Sequence, residues 1–107
     1  MRKAFDSVKL AQLRSLPAEA ALRRIALGIK ADSNYLPIKN SGSGRWHVFT
    51  DRGAFEILTT GPKWYDTRAR RGGGGAIDLA MHVLGVAFID AVRHLISENS
   101  EHGSDHP

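Results

Sequence analysis

Three arginines and four glycines stand together in Arg68-Ala69-Arg70-Arg71-Gly72-Gly73-Gly74-Gly75, directly ahead of an apolar stretch with helical spacing. Glycine admits positive φ and close backbone approach, and the free N–H groups at a helix start attract anions. With Arg68, Arg70 and Arg71 alongside, the layout suits a nucleic-acid phosphate; the bland alternative is a hinge between two elements. Neither the Walker pattern nor the dinucleotide fingerprint is met, because no Lys-Ser/Thr follows the glycines and no parallel βαβ unit surrounds them.

A second constellation lies upstream. Trp46, Trp64 and Tyr65 fall on β-rich runs, with Arg45, Arg52, Lys63 and Arg68 interleaved. Aromatic faces stack on unpaired bases while cations follow the sugar–phosphate chain, so this mixture fits single-stranded nucleic acid. Core packing competes for the aromatics. At least one of two tryptophans in a small domain belongs inside, which leaves Trp64 or Tyr65 as the exposed candidate.

Signatures of catalysis and metal binding are weak. His47, His82 and His94 show no His-x-His or His-Glu-x-x-His spacing, and with no cysteine there is no thiolate zinc site, iron–sulfur cluster, cysteine nucleophile or disulfide framework. No Gly-x-Ser-x-Gly elbow occurs, and Ser41-Gly42-Ser43-Gly44 is a turn composition. Asp78 and Asp90 stand near helix starts, where a carboxylate ordinarily favours the helix dipole. The chain is expected to be no enzyme and to need neither metal nor cofactor.

These residues must be positioned by a few elements. Leu10, Leu13 and Leu16, then Ala21, Leu22, Ile25 and Ile29, recur at helical spacing, which predicts N-terminal helices over 4–28 with Pro17 in the first turn of the second and Gly28 near its C-cap. A Ser/Asn/Pro/Gly-rich connector from Ala31 to Gly44 contains the short extended piece Tyr35-Leu36-Pro37-Ile38. Three β-rich runs over 45–67, parted by Asp51-Arg52-Gly53 and Thr60-Gly61-Pro62, predict a three-stranded antiparallel meander. Trp46 and Val48 alternate with His47 and Phe49, so the two pairs face opposite ways. Two helices over 76–96, divided at Gly85, cover the sheet, and a polar tail over 98–107 is expected to be disordered. The fold class is α+β, a single domain over 1–97.

The 15 Lys+Arg outnumber 11 Asp+Glu; setting aside Glu98, Glu101 and Asp105 in the tail leaves a surplus of +7 over 1–97, which favours a polyanionic partner. No stretch approaches the length of an apolar membrane span and Met1–Phe5 leads into polar sequence, so a cytoplasmic protein with no membrane partner is expected.

The stretch from Gly73-Gly74-Gly75-Ala76-Ile77-Asp78-Leu79 through Gly85-Val86-Ala87-Phe88 to Ala91-Val92 resembles the sequence after the last zinc ligand in the zinc-ribbon domain of bacterial DnaG-type DNA primases, as do related domains in primase-like proteins of plasmids, phages and other mobile elements. Together with the β-meander ahead of it, the resemblance covers about residues 20–97. It implies a non-catalytic domain that binds single-stranded template DNA during replication or transfer, beside a Toprim or helicase-type protein. Laid on the family's metal ligands, this chain has His47, Thr50, Thr67 and Arg70. Of these only His47 is a zinc-ligating residue type, and one ligand cannot build a tetrahedral site, so the resemblance implies a zinc-free ribbon whose metal is replaced by apolar packing around Trp46, Phe49, Phe55, Ile57 and Trp64. Phosphate contacts are expected from Arg45, Arg52, Lys63, Arg68, Arg70 and Arg71, and stacking from Trp64 and Tyr65. An alternative is a protein-interaction adaptor docking through Leu10, Leu13 and Leu16. A third reading is a small enzyme using Asp78 or Asp90 with His82 or His94.

Overall fold

The computed structural model describes residues 7–33 and 43–104, with 97–104 as backbone only. Residues 4–6 of the expected first helix, the Tyr35–Ile38 piece and residues 105–107 of the tail lie outside the described residues. Helix α1 spans Ser7–Arg14 and α2 spans Ala18–Ile25. Strands β1 (Gly28–Ala31), β2 (Ser43–Thr50), β3 (Gly53–Thr60), β4 (Lys63–Asp66) and β5 (Arg71–Gly73) follow, and helices α3 (Ala76–Leu84) and α4 (Phe88–Ser104) close the chain.

The α+β class holds, but the sheet has five strands instead of three, all antiparallel in the order β1-β2-β3-β4-β5. The three expected runs are β2, β3 and β4. Two strands were hidden by composition. Gly28-Ile29-Lys30-Ala31 looks like the end of a helix, yet α2 stops with Ala26 already extended, and Leu27 N–H donates to the Phe49 carbonyl at 2.8 Å. That bond leads into the β1–β2 ladder, in which Ile29 faces Val48. Gly28 therefore begins a strand and does not cap a helix.

At the other edge, Arg71-Gly72-Gly73 pairs with Asp66-Tyr65-Trp64. Glycine is depleted in strands because it offers no side chain to pack. Here the missing side chain is what the packing needs, since a Cβ on Gly73 would stand 2.8 Å from the Trp64 indole nitrogen, and one on Gly72 would stand 2.8 Å from the Trp64 carbonyl oxygen. The glycine run is thus half strand, not a hinge.

Pro17 is the N-cap of α2, so the helix starts one residue later than expected, and Ala18 N–H donates to the Gly61 carbonyl at 2.7 Å, fastening the helix to the β3–β4 turn. Gly85 ends α3 in the left-handed region at φ 67°, where glycine carries no Cβ penalty. The backbone of α4 runs to Ser104, so helix extends for nearly two turns into the segment from Glu98 onward that was expected to be disordered.

Alternation along the strands sorts the sheet into two faces. Val48, Ile57 and Trp64 point to the side where Leu22, Leu79, Val83, Val92 and Leu95 close the core. The opposite face carries Lys30, Arg45, His47, Phe49, Glu56, Leu58 and Tyr65, and no described helix residue belongs to it. Among the described residues no single helix is long and apolar enough to cross a membrane; α3 and α4 pass such a test only jointly, bent by 105°, and their apolar residues form the core.

Candidate nucleic-acid interface

The eight residues expected to contact nucleic acid do not share one surface. Arg45, Lys63 and Tyr65 lie on the uncovered face, and Arg68, in the β4–β5 turn, borders a hollow on that face with Lys30, His47 and Phe49. Trp64 and Arg71 belong to the helix-covered side, where with Arg52 they line a separate groove against α3. Arg70 sits at the turn itself, exposed, with φ 57°.

Trp64 overturns an expectation. It is 5% exposed, stacked on His82 with ring centroids 5.1 Å apart, and cannot stack on a base. Tyr65, its neighbour, is 42% exposed, because strand alternation turns it to the other face. Phe49, expected in the core, is 45% exposed on that same face. Its position was legible in the Trp46/Val48 against His47/Phe49 alternation, once the helices are known to cover the tryptophan side. Lys30 was missed because β1 was missed.

The electrostatics of this face are mixed. Arg45 lies 3.1 Å from Glu56 and 3.8 Å from Asp32, and His47 lies 3.5 Å from Asp32, so the centre of the face is internally compensated. Thr67 Oγ1 adds a hydrogen bond to Glu56 Oε1 at 3.1 Å. Lys30, Lys63, Arg68 and Arg70 have no carboxylate within ion-pair distance among the described residues.

The four positions aligned with zinc ligands do not converge. His47 and Thr67 turn toward the uncovered face while Thr50 is buried on the other, and no group of three metal-ligating side chains forms among the described residues. Polar ties organise the two turns instead. Asp66, 2% exposed, accepts N–H bonds from Arg68 at 2.9 Å and Ala69 at 3.0 Å through Oδ1, and one from His82 Nε2 at 2.7 Å through Oδ2. Burial pushes its carboxyl up, but the His82 bond, the two backbone N–H bonds and the charge of His82 together hold it below its ordinary value. Thr50 does the same for the β2–β3 turn, accepting Arg52 N–H at 3.1 Å and donating to the Val83 carbonyl at 2.9 Å. Both turns are thus held to α3 by a polar network. It joins residues 16 and 33 positions apart, for which local spacing carries no signal.

The docking surface expected from α1 is not formed: Leu13 is 4% exposed and Leu10 and Leu16 pack against the core. Asp78, Asp90 and His94 are exposed, with Asp90 4.0 Å from Arg93. His82 is engaged by Asp66. No family model, no curated protein and no solved structure matches this chain.

Proposed function

We propose that this domain binds single-stranded DNA across the uncovered face of its sheet and that it catalyses nothing. One observation carries the reading: Phe49 and Tyr65 stand exposed on β2 and β4 of a sheet face that no described helix covers, on which Lys30, Lys63 and Arg68 have no ion-pair partner among the described residues. Strand spacing and register separate the two rings by roughly 16 Å, room for two bases to stack with intervening nucleotides between them. A duplex, whose bases are already stacked, offers such rings nothing comparable. The resemblance to primase zinc-ribbon domains points to the same ligand, and to a Toprim or helicase-type replication protein of a mobile element as companion.

The test is fluorescence anisotropy with a labelled oligonucleotide of about 20 nucleotides, as single strand and as duplex, between about 50 and 200 mM salt. Micromolar or tighter binding to the single strand, weakened by salt and by Tyr65→Ala, is the expected result. Equal affinity for both forms, or no binding at low salt, overturns it.

A further inference from the structure

The helix-covered side of the sheet holds a groove of about 610 Å³ at the β4–β5 edge, against α3. Small-ligand sites span about 300–1,000 Å³, so the size is that of a ligand pocket and exceeds a packing defect. Its floor is the Trp64–His82 stack, with Phe55 edge-on to His82 at 5.9 Å. Met81 and Val86 complete an apolar wall.

Two guanidinium groups border this wall from different elements. Arg52 comes from the β2–β3 turn and lies across Gly85, where a Cβ would overlap it; Arg71 comes from β5. Neither has a carboxylate within ion-pair distance among the described residues. The carboxylate of Asp66, also in the lining, is engaged by His82 and two backbone N–H groups and makes no ion pair with either arginine. Asp78, exposed in the first turn of α3, is the remaining acceptor in the groove.

The lining therefore asks for three things in one ligand: an anion shaped for arginine forks, a flat apolar body, and an N–H donor for a carboxylate. We propose that this groove binds a nucleoside 5′-phosphate, free or as the phosphorylated end of a nucleic-acid strand. The phosphate lies with Arg52 and Arg71, the base lies on the Phe55–Met81–Val86 wall, and Asp78 accepts from an exocyclic amino group. The site is on the other side of the sheet from Tyr65 and does not depend on the open face binding DNA.

The experiment is a proton–nitrogen correlation titration of the full chain, following the Trp64 indole and the Gly72 amide. The probes are deoxyadenosine 5′-phosphate, deoxyadenosine, inorganic phosphate, and a trinucleotide with and without its 5′-phosphate. The mononucleotide is expected to shift both signals with sub-millimolar affinity, about tenfold or more tighter than phosphate or nucleoside alone. Arg71→Gln and Arg52→Gln should each weaken it about tenfold, while Tyr65→Ala leaves it unchanged. Arg71 is exposed and has no ion-pair partner among the described residues, so its variant keeps the fold; Arg52→Gln provides the independent second side of the clamp. A trinucleotide that binds only when phosphorylated assigns the strand-end source, and one that ignores the groove assigns the free nucleotide. No shift at about 5 mM mononucleotide, phosphate binding as tightly as the nucleotide, or unchanged affinity in both arginine variants overturns the proposal. Oligonucleotide binding lost in Tyr65→Ala while the mononucleotide still binds keeps the two sites distinct, so either reading fails without the other.

Discussion

Asp66 and His82 are 16 residues apart in the chain and 2.7 Å apart in space, and their bond fixes the end of β4 to the last turn of α3. One residue further along α3, the Val83 carbonyl takes the hydroxyl of Thr50 at the end of β2. Both turns that carry the arginines, Asp51–Arg52 and Thr67–Arg70, thus hang from adjacent residues of one helix.

Acid should loosen this arrangement in a defined window. The Asp66 carboxyl is held below its ordinary value in the folded protein, so its stabilisation is complete above the unfolded value of about 3.9 and is lost as pH falls through the folded one. Asp66→Asn should cost about 1–3 kcal/mol near neutral pH and flatten the acid limb of stability below about pH 4. Thermal melts across that range check it; an acid limb as steep in the variant as in the parent would remove Asp66 as its cause.

The Thr50 tie predicts a loss without change of shape. Thr50→Val keeps the volume but strands the Val83 carbonyl and the Arg52 N–H, for about 1–3 kcal/mol by chemical denaturation and faster exchange of the Arg52 amide. A metal chelator should leave the melting temperature of the parent protein where it was, since the Thr50 and Asp66 side chains already accept the N–H groups of both turns.

Adjacent glycines should answer differently to the same change. Gly73→Ala drives a Cβ into the Trp64 indole and should cost about 1–3 kcal/mol, whereas Gly74→Ala meets open space and should stay within about 0.5 kcal/mol of the parent. Urea midpoints of the two variants decide it. Equal effects would mean the run is a hinge after all.

On the open face, Tyr65→Ala should weaken single-strand binding by about 5- to 150-fold, the range for one stacked base. Lys63→Ala and Arg68→Ala should each reduce the slope of log affinity against log salt by about 0.7. Arg45→Ala should change that slope less, because Glu56 and Asp32 already neutralise it. Anisotropy titrations at several salt concentrations read all four variants.

What the sequence made legible was whatever period and punctuation encode locally. The three central strands, the α3–α4 pair broken at Gly85 and the opposed faces of Trp46 and Phe49 all came from spacing within a few residues. Strands β1 and β5 did not, because each exists through its neighbour: β1 through the Phe49 and Arg45 carbonyls, β5 through the flat side of Trp64. Membership of the candidate site failed for the same reason. Trp64 and Tyr65 are adjacent and chemically alike, and which of them is outside depends on which face the helices cover.

The four glycines also measure a distance. Gly72 passes against the Trp64 carbonyl and Tyr65, Gly73 lies under the indole, Gly74 spans, and Gly75 caps the start of α3. A helix turns about 100° per residue, so a chain with three glycines or five would enter α3 out of phase and swing His82 about 100° away from Asp66. The run is a ruler whose length, more than its suppleness, keeps the two halves of the fold in step.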